Sequence, residues 1–539
     1  MQRQSPAWLE TAVFYEIYPQ TFYDSNGDGI GDIPGIIQKL DYVVSLGANA
    51  IWLNPCWESP FGDAGYDVSD YYKVAPRYGT NDDLRRLYNE AHRRGIHILL
   101  DLVPGHTSIE CAWFKESCKH ERNEFSDWYI WTDSVWTPPL PGLQNVRGFA
   151  QRNAAYIVNF FYMQPALNYG FATPDPQYPW QQPVDAPGPQ AVRGEIKKIM
   201  KFWLDQGADG FRVDMAASLV KNDPDKKATM AFWQEVRAWL DQEYPQAALV
   251  SEWSQPSQSI PAGFHMDFYL HFGVKGYTAL FRKGTTNPRS GGDPYSFSYF
   301  DRSGHGNIRQ FLDEYLPFYE KTKDLGFISI PSGNHDIRPR LADGRNVDDL
   351  KVAFLFLLTM PGVPYIYYGD EIGMRFVPNL ASVEGAFDRT GSRTPMQWSE
   401  ETNAGFSSAP QEKFYLPVDA RPGRPSVAAQ EDVPNSLLNT VRQLSGLRKA
   451  HPALYASGSF DVIHAEAGDS LFVYQRTGGS ETLLIALNPA DHPVEAILPA
   501  GVIRKPPKIL YGQPPALSQE GDGWRLSLPG VAGGVYQVG

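Results

Sequence analysis

The chain is poor in cysteine, has no long apolar run and carries no surplus of basic residues. Cys56, Cys111 and Cys118 are the three cysteines in 539 residues. Their spacing fits no metal-ligand pattern, so free thiols in a reducing compartment are expected, with a Cys111–Cys118 bridge the one pairing left open. No window reaches the ~18 consecutive apolar residues that a membrane helix needs. The N-terminal "MQRQSPAWLETAVFYEIYPQTF" lacks the basic, apolar and small-residue succession of a secretory leader, which predicts a cytoplasmic protein. Lys and Arg number 48 against 61 Asp and Glu, a formal charge of −13. Phosphate backbones require a basic surface, so nucleic acid is excluded as a partner and a neutral or cationic small molecule is favoured. No Gly-x-Gly-x-x-Gly follows the first strand-like run, which removes the dinucleotide-binding reading of an alternating α/β pattern. Nothing in the chain fixes an oligomeric state.

What is present is alternation. Apolar, β-rich runs include "VFYEIYPQTF" from Val13, "ANAIWLNP" from Ala48, "HILLDLVP" from His97 and "GFRVDMA" from Gly210. "ALVSEW" from Ala248, "MDFYLHF" from Met266, "FISIPSGN" from Phe327 and "GVPYIYYGDE" from Gly362 complete a set of eight. Amphipathic stretches such as "DDLRRLYNEAHRRG" separate them, and the pattern predicts an α/β (β/α)8 TIM barrel. Residues 107–190 are rich in aromatics, Pro and Asn and have no helical period; their length predicts a small inserted domain after strand 3. Residues 1–106 and 191–454 then form the barrel. From 455 to 539, short strands with Gly/Pro turns predict a C-terminal antiparallel β-sandwich. Residues 283–306 read as a further insertion of no assignable role.

"GFRVD" places Arg212 and Asp214 two positions apart in an apolar strand, and so on one face. Buried charges are costly unless paired or used. Asp101, His106, Glu252, His335 and Asp336 likewise stand at the C-terminal ends of strands, the catalytic face of a βα barrel. A cluster of carboxyls there points to glycosidic-bond chemistry.

The motifs "DSNGDGIGD", "GYDVSDY", "DLVPGHTS", "QPALN", "GFRVD", "SEW", "GNHD", "YYGDEIGM" and "RTPMQW" occur in that order. In them the chain resembles glycoside hydrolase family thirteen, the α-amylase family, and most of all its α-glucosidase, oligo-1,6-glucosidase and trehalose synthase branch. The resemblance implies a retaining, exo-acting α-glucosidase working on short α-glucosides through a covalent glycosyl-enzyme. A trehalose synthase-like glucosyl transferase or isomerase, sharing the first half-reaction, is the alternative. By resemblance Asp214 is the nucleophile, its pKa held down by Arg212, Glu252 the general acid/base, and Asp336 the third carboxylate. His335 and His106 donate to sugar hydroxyls, Tyr66 underlies the ring, and Asp67 pairs with Arg393 to close the far end of the pocket. Asp24, Asn26, Asp28, the Ile30 carbonyl and Asp32 are the ligands of a structural calcium, with magnesium the alternative ion. Position twelve of that loop is Gly35 rather than Glu, so it is not an EF-hand.

Three positions depart from the family's pattern. Gly105 replaces an Asn that often ligates a calcium near the inserted domain, so no second metal is expected. Ala166 replaces an acid in "QPALN". Met215, after the nucleophile, is bulkier than the residues often found there and leaves linkage preference open.

Overall fold

The computed structural model describes residues 5–282 and 297–539. Part of the 283–306 insertion therefore lies outside the described residues. Eight strands form one parallel sheet: β1 (Phe14–Ile17), β2 (Ala50–Leu53), β3 (His97–Leu102), β4 (Gly210–Val213), β5 (Ala248–Ser251), β6 (Met266–Phe268), β7 (Phe327–Ser329) and β8 (Tyr365–Tyr367). From β1 to β7 each pairs with the next in sequence, and β1 pairs with β8. A parallel bridge between Pro331 and Tyr365 joins β7 to β8 and closes the barrel. The first strand ends sooner than its apolar run suggests. Pro19 opens a short helix, Pro19–Phe22, because its fixed φ suits the first helical turn and it has no N–H for a ladder.

The outer helices are fixed by local signals. Asn81–Arg93 begins with a capping box between Thr80 and Asp83 and turns Leu84, Leu87, Tyr88 and Ala91 to the strands. Val347–Thr359 begins the same way at Asn346 and Asp349. Pro187–Leu204 follows the irregular segment after β3, beginning a few residues before the expected return to the barrel. That segment contains one short helix, Ala112–Ser117, and a two-stranded ladder, Asn145–Val146 with Tyr156–Ile157.

Two antiparallel sheets form the C-terminal part. One holds β9 (Ser459–His464), β10 (Phe472–Gly478), β11 (Glu481–Asn488), β13 (Lys508–Gly512) and β16 (Ala532–Gln537); the other holds β12 (Val494–Leu498), β14 (Ala516–Glu520) and β15 (Gly523–Leu528). Leu471, Val473, Leu484 and Ala486 of the first pack with Leu498, Leu526 and Leu528 of the second. The first sheet is tied to the barrel by buried Arg476, which donates to the Thr359 carbonyl, and by a 2.5 Å Tyr474–Thr359 hydroxyl contact. No described helix is long and apolar enough to cross a membrane.

Candidate active site

Strand register places the charged groups. Asp101 on β3 is level with Arg212 on β4, and Arg212 with Val250 on β5. The ladder continues one residue past the strands: Asp214 N donates to Leu102 O at 2.9 Å, and Glu252 N to Val213 O at 3.0 Å. Alternation then projects Arg212 and Asp214 to the same side, with Asp101 on one flank and Glu252 on the other.

Arg212 is 1% exposed and organises the three acids. Its Nη1 donates to Asp101 Oδ1 and Asp214 Oδ1, both at 2.9 Å, and its Nη2 meets Glu252 Oε1 at 2.7 Å. The guanidinium lies 5.0 Å from the centre of the Trp52 ring. Glu252 Oε2 accepts from Met215 N at 3.1 Å. Met215 is in the left-handed region, φ 43°, the strain of a tight turn out of β4. The four groups carry one positive and three negative formal charges in a nearly dry site.

The carboxyls respond accordingly. Burial pushes Glu252 up to about 8, with Arg212 opposing and the charges of Asp214 and Asp336 adding. Burial also pushes Asp214 up to about 7, against the pull of Arg212 and a hydrogen bond from Glu252. The net direction for Asp214 corrects the expectation that Arg212 holds it low: desolvation outweighs a guanidinium shared among three acids. Both carboxyls are thus raised by burial and opposed by the same guanidinium.

Asp336 is the opposite case. Burial would raise it, but Arg389, His335, Arg393 and Arg212 together hold it well below the usual carboxylate range. Arg389 Nη1 reaches its Oδ1 at 2.8 Å and Arg393 Nη2 at 2.7 Å. Arg393 also donates from Nε to the His335 carbonyl at 2.9 Å. The expected Asp67–Arg393 pair is therefore not formed. Asp67 turns inward, accepting from Gly62 N at 2.8 Å, Asp63 N at 2.9 Å and Ser59 Oγ at 3.0 Å, which fixes its own loop.

Tyr66 O–H lies 2.9 Å from both Asp101 Oδ2 and His335 Nε2, and its ring stacks on His335 at 5.4 Å. His106 is occupied: Nε2 donates to the Tyr66 carbonyl at 3.0 Å and Nδ1 accepts from Asn159 at 3.1 Å. The direct contact to a sugar expected of His106 is thus not prepared in this arrangement. Asn159 also lies against Gly105, its amide nitrogen 2.6 Å from where a Cβ on that residue would be. The same corner holds Lys221, whose Nζ donates to Ser218 O at 2.7 Å and Asn159 Oδ1 at 3.2 Å. Ala166, where an acid was expected from the family pattern, is fully buried against Ile130, Ile157 and Phe171.

The loop expected to hold a cation is built from hydrogen bonds. Asp24 accepts from the N–H groups of Asn26, Gly27 and Gly29, Asn26 from Asp28 N, and Asp28 from Ile30 N. Asp32 caps the helix Ile33–Gln38 through Gly35 N and accepts from Ser25. Oxygen donors of this kind suit a hard cation. Their present geometry does not gather them, and among the described residues no group of three or more His, Cys, Asp or Glu side chains is placed to hold a metal.

Residues the sequence reading passed over complete the site. Asp267 on β6 accepts from Trp253 N, Ser254 N and Gln255 N at 2.9–3.3 Å and from Ser251 Oγ at 2.6 Å, so it braces the turn after Glu252. Arg389 supports Asp336. Glu16, inside "FYEIYP", contacts His335 Nδ1 at 2.8 Å. The signal for Glu16 and Asp267 was the one that exposed Arg212: a charge inside an apolar strand.

A closed parallel barrel with convergent carboxyls around one arginine at its C-terminal end defines a glycoside-processing enzyme of the α-amylase type. The profile of the α-amylase catalytic domain matches residues 16–457, and the chain belongs to that family, whose members act on α-glucosidic bonds and include transglycosylating enzymes. It is 36% identical to the trehalose synthase/amylase TreS of Mycolicibacterium smegmatis, over 84% of this chain and 78% of that protein. It is 33% identical to the oligo-1,6-glucosidase of Parageobacillus thermoglucosidasius, over 93% and 94%. Among solved structures, a mutant isomaltulose synthase of Erwinia rhapontici NX5 in complex with D-glucose superposes with a TM-score of 0.80 at 26% identity, covering 99% of both chains.

Proposed function

We propose that the enzyme is a retaining, exo-acting α-glucosidase that hydrolyses short α-glucosides by double displacement. The observation that carries this is Arg212 joining Asp214 and Glu252 at 2.9 and 2.7 Å through one guanidinium. Inversion needs ~6.5–9.5 Å between the carboxyls for a water; direct attack needs them near 5–5.5 Å. Two carboxyls held by one guanidinium support the second case. Asp214 attacks the anomeric carbon while the Glu252 proton passes to the glycosidic oxygen, and the leaving sugar departs. Glu252, now ionised, takes a proton from water, whose oxygen displaces Asp214.

The exo mode is supported by how the loops meet. Arg77 pairs with Glu384 at 2.7 Å, Gln164 with Asp63 at 2.7 Å, and the Phe161 and Phe387 rings lie 5.4 Å apart. These contacts knit the loop after β2, the inserted segment and the loop after β8 into one wall. The loop 24–32 is proposed as a calcium site, on its run of side-chain oxygens. Three free thiols support a reducing, cytoplasmic setting.

Glucosyl transfer of the trehalose synthase kind uses the same first half-reaction, and relatives bearing that name favour it as the second reading. The deciding experiment offers maltose, isomaltose, sucrose, trehalose and p-nitrophenyl α-glucoside and separates the products by chromatography. Glucose as the sole new sugar supports hydrolysis; conversion of one disaccharide into another overturns it in favour of transfer.

A further inference from the structure

In the corner between β4 and the inserted segment, donors and acceptors fall into a single order. Lys221 Nζ donates to the Ser218 carbonyl at 2.7 Å and faces Asn159 Oδ1 at 3.2 Å. Burial pushes Lys221 down to about 8, so near neutral pH it is an ammonium, with protons to give and no lone pair. The Asn159 atom that it faces is therefore the amide oxygen. The amide nitrogen then points the other way, 3.1 Å from His106 Nδ1, and a donor there requires Nδ1 to be bare. Across the ring, Nε2 lies 3.0 Å from the Tyr66 carbonyl, which accepts and cannot donate. Both ends of the imidazole give the same answer: a neutral ring with its proton on Nε2.

We propose that Asn159, aligned by Lys221, is a positioning residue of the active site, holding His106 as the neutral Nε2–H tautomer and, through it, the carbonyl of Tyr66. Tyr66 carries the effect to the reacting groups. Its O–H lies 2.9 Å from Asp101 Oδ2, and Asp101 shares Arg212 with Asp214. The same amide nitrogen lies 3.7 Å from Met215 Sδ, and Met215 N donates to Glu252 Oε2 at 3.1 Å. Asn159 thus stands between His106 and the turn that leads out of β4.

Three further observations agree. His106 is 1% exposed, and burial with the Lys221 charge lowers it to about 4 against the pull of the Tyr66 carbonyl, so no imidazolium competes at neutral pH. Lys221 is itself fixed, since its N donates to Gly170 O at 3.0 Å and its carbonyl accepts from Ala172 N at 2.9 Å. The amide also occupies the space beside Gly105, where a Cβ would stand 2.6 Å from its nitrogen. The competing arrangement exchanges the oxygen and nitrogen of Asn159. It sets an NH2 against the ammonium at 3.2 Å and needs an imidazolium to supply a proton at Nδ1.

The kinetic consequence rests on α-glucosidic chemistry at this site; the tautomer is read without substrate. Enzyme labelled with 15N-histidine gives the protonation of each ring nitrogen by long-range 1H–15N correlation, the His106 signal being the one absent from His106→Gln. Expected between pH 5 and 7 is a neutral ring, bare at Nδ1 and protonated at Nε2. Asn159→Asp sets a carboxylate against Nδ1 and should bring a His106 titration into view above pH 5, a rise of about one pH unit or more. Asn159→Leu, which cannot donate, should lower kcat/KM for p-nitrophenyl α-glucoside roughly fivefold or more in a protein with native circular dichroism, and Gly105→Ala, which crowds the amide, should do the same. A parent ring protonated at Nδ1, an Asn159→Asp ring with no titration above pH 5, or a folded Asn159→Leu enzyme that loses less than about twofold overturns the proposal. If no α-glucoside is turned over at all, the functional reading fails while the spectra still decide the tautomer, so the two failures are separable.

Discussion

Arg393 and Asp336 meet at 2.7 Å, and the contact joins the loop after β7 to the loop after β8. Arg393 is 1% exposed at its side chain and Asp336 31%. With Arg389 on the same oxygen, the pair fixes a permanently ionised carboxylate at the mouth of an otherwise proton-rich site.

Arg393→Lys keeps the charge but loses the fork that holds both Asp336 and the His335 carbonyl. With Arg389 still in place the loss is about 2 kcal/mol of transition-state binding, roughly 30-fold in kcat/KM. Steady-state kinetics on p-nitrophenyl α-glucoside read this directly. A loss under threefold would show that Arg389 alone positions Asp336.

The pH dependence of kcat/KM reports the free enzyme. Asp214 must be ionised and Glu252 protonated, with the pair losing its protons near 7 and 8. A narrow bell with its maximum between those values is expected. An optimum below pH 6 would mean that the pocket is wetter than its burial implies.

Glu252 also shapes stability. Its folded pKa, about 8, lies above its unfolded one, so its contribution is present below the unfolded value and is lost as pH rises through 8. Glu252→Gln removes that loss. Its Tm relative to the parent should be higher at pH 9 than at pH 5, by about 2–3 °C for a domain of this size. An equal Tm difference at both values contradicts a raised folded pKa.

For the loop 24–32, calcium at a hundred times its Kd would contribute about 2.7 kcal/mol. Thermal unfolding in calcium should then exceed that in chelator by a few degrees, and Asp28→Asn, which keeps the cap on Ile30 N, should shrink the difference. The absence of any shift would leave the loop a set of Asx turns and nothing more.

Much of this arrangement was legible in the chain. Eight apolar runs predicted the barrel because a strand buried on both faces has few polar positions, and each charge that remained marked a site. Arg212, Asp214 and Glu252 were readable for that reason, since strand register carries side chains with it. Arg393 was paired with Asp67 by resemblance to the family, and in this chain it meets Asp336 instead; both partners sit on loops, where spacing along the chain says nothing about approach. The effect of burial on Asp214 was missed for another reason: how one arginine is divided among three acids depends on geometry. Glu16 carried the same strand signal as Arg212, yet its approach to His335 is visible only in the structure.

The central claim is that Asp214 attacks the anomeric carbon. Incubation with 5-fluoro-α-glucosyl fluoride, followed by proteolysis and mass spectrometry, tests it most directly. A fluoroglucosyl adduct is expected on the peptide containing Asp214, and none in Asp214→Asn. An adduct on another carboxyl, or turnover of the reagent by Asp214→Asn at more than a few percent of the parent rate, would contradict it.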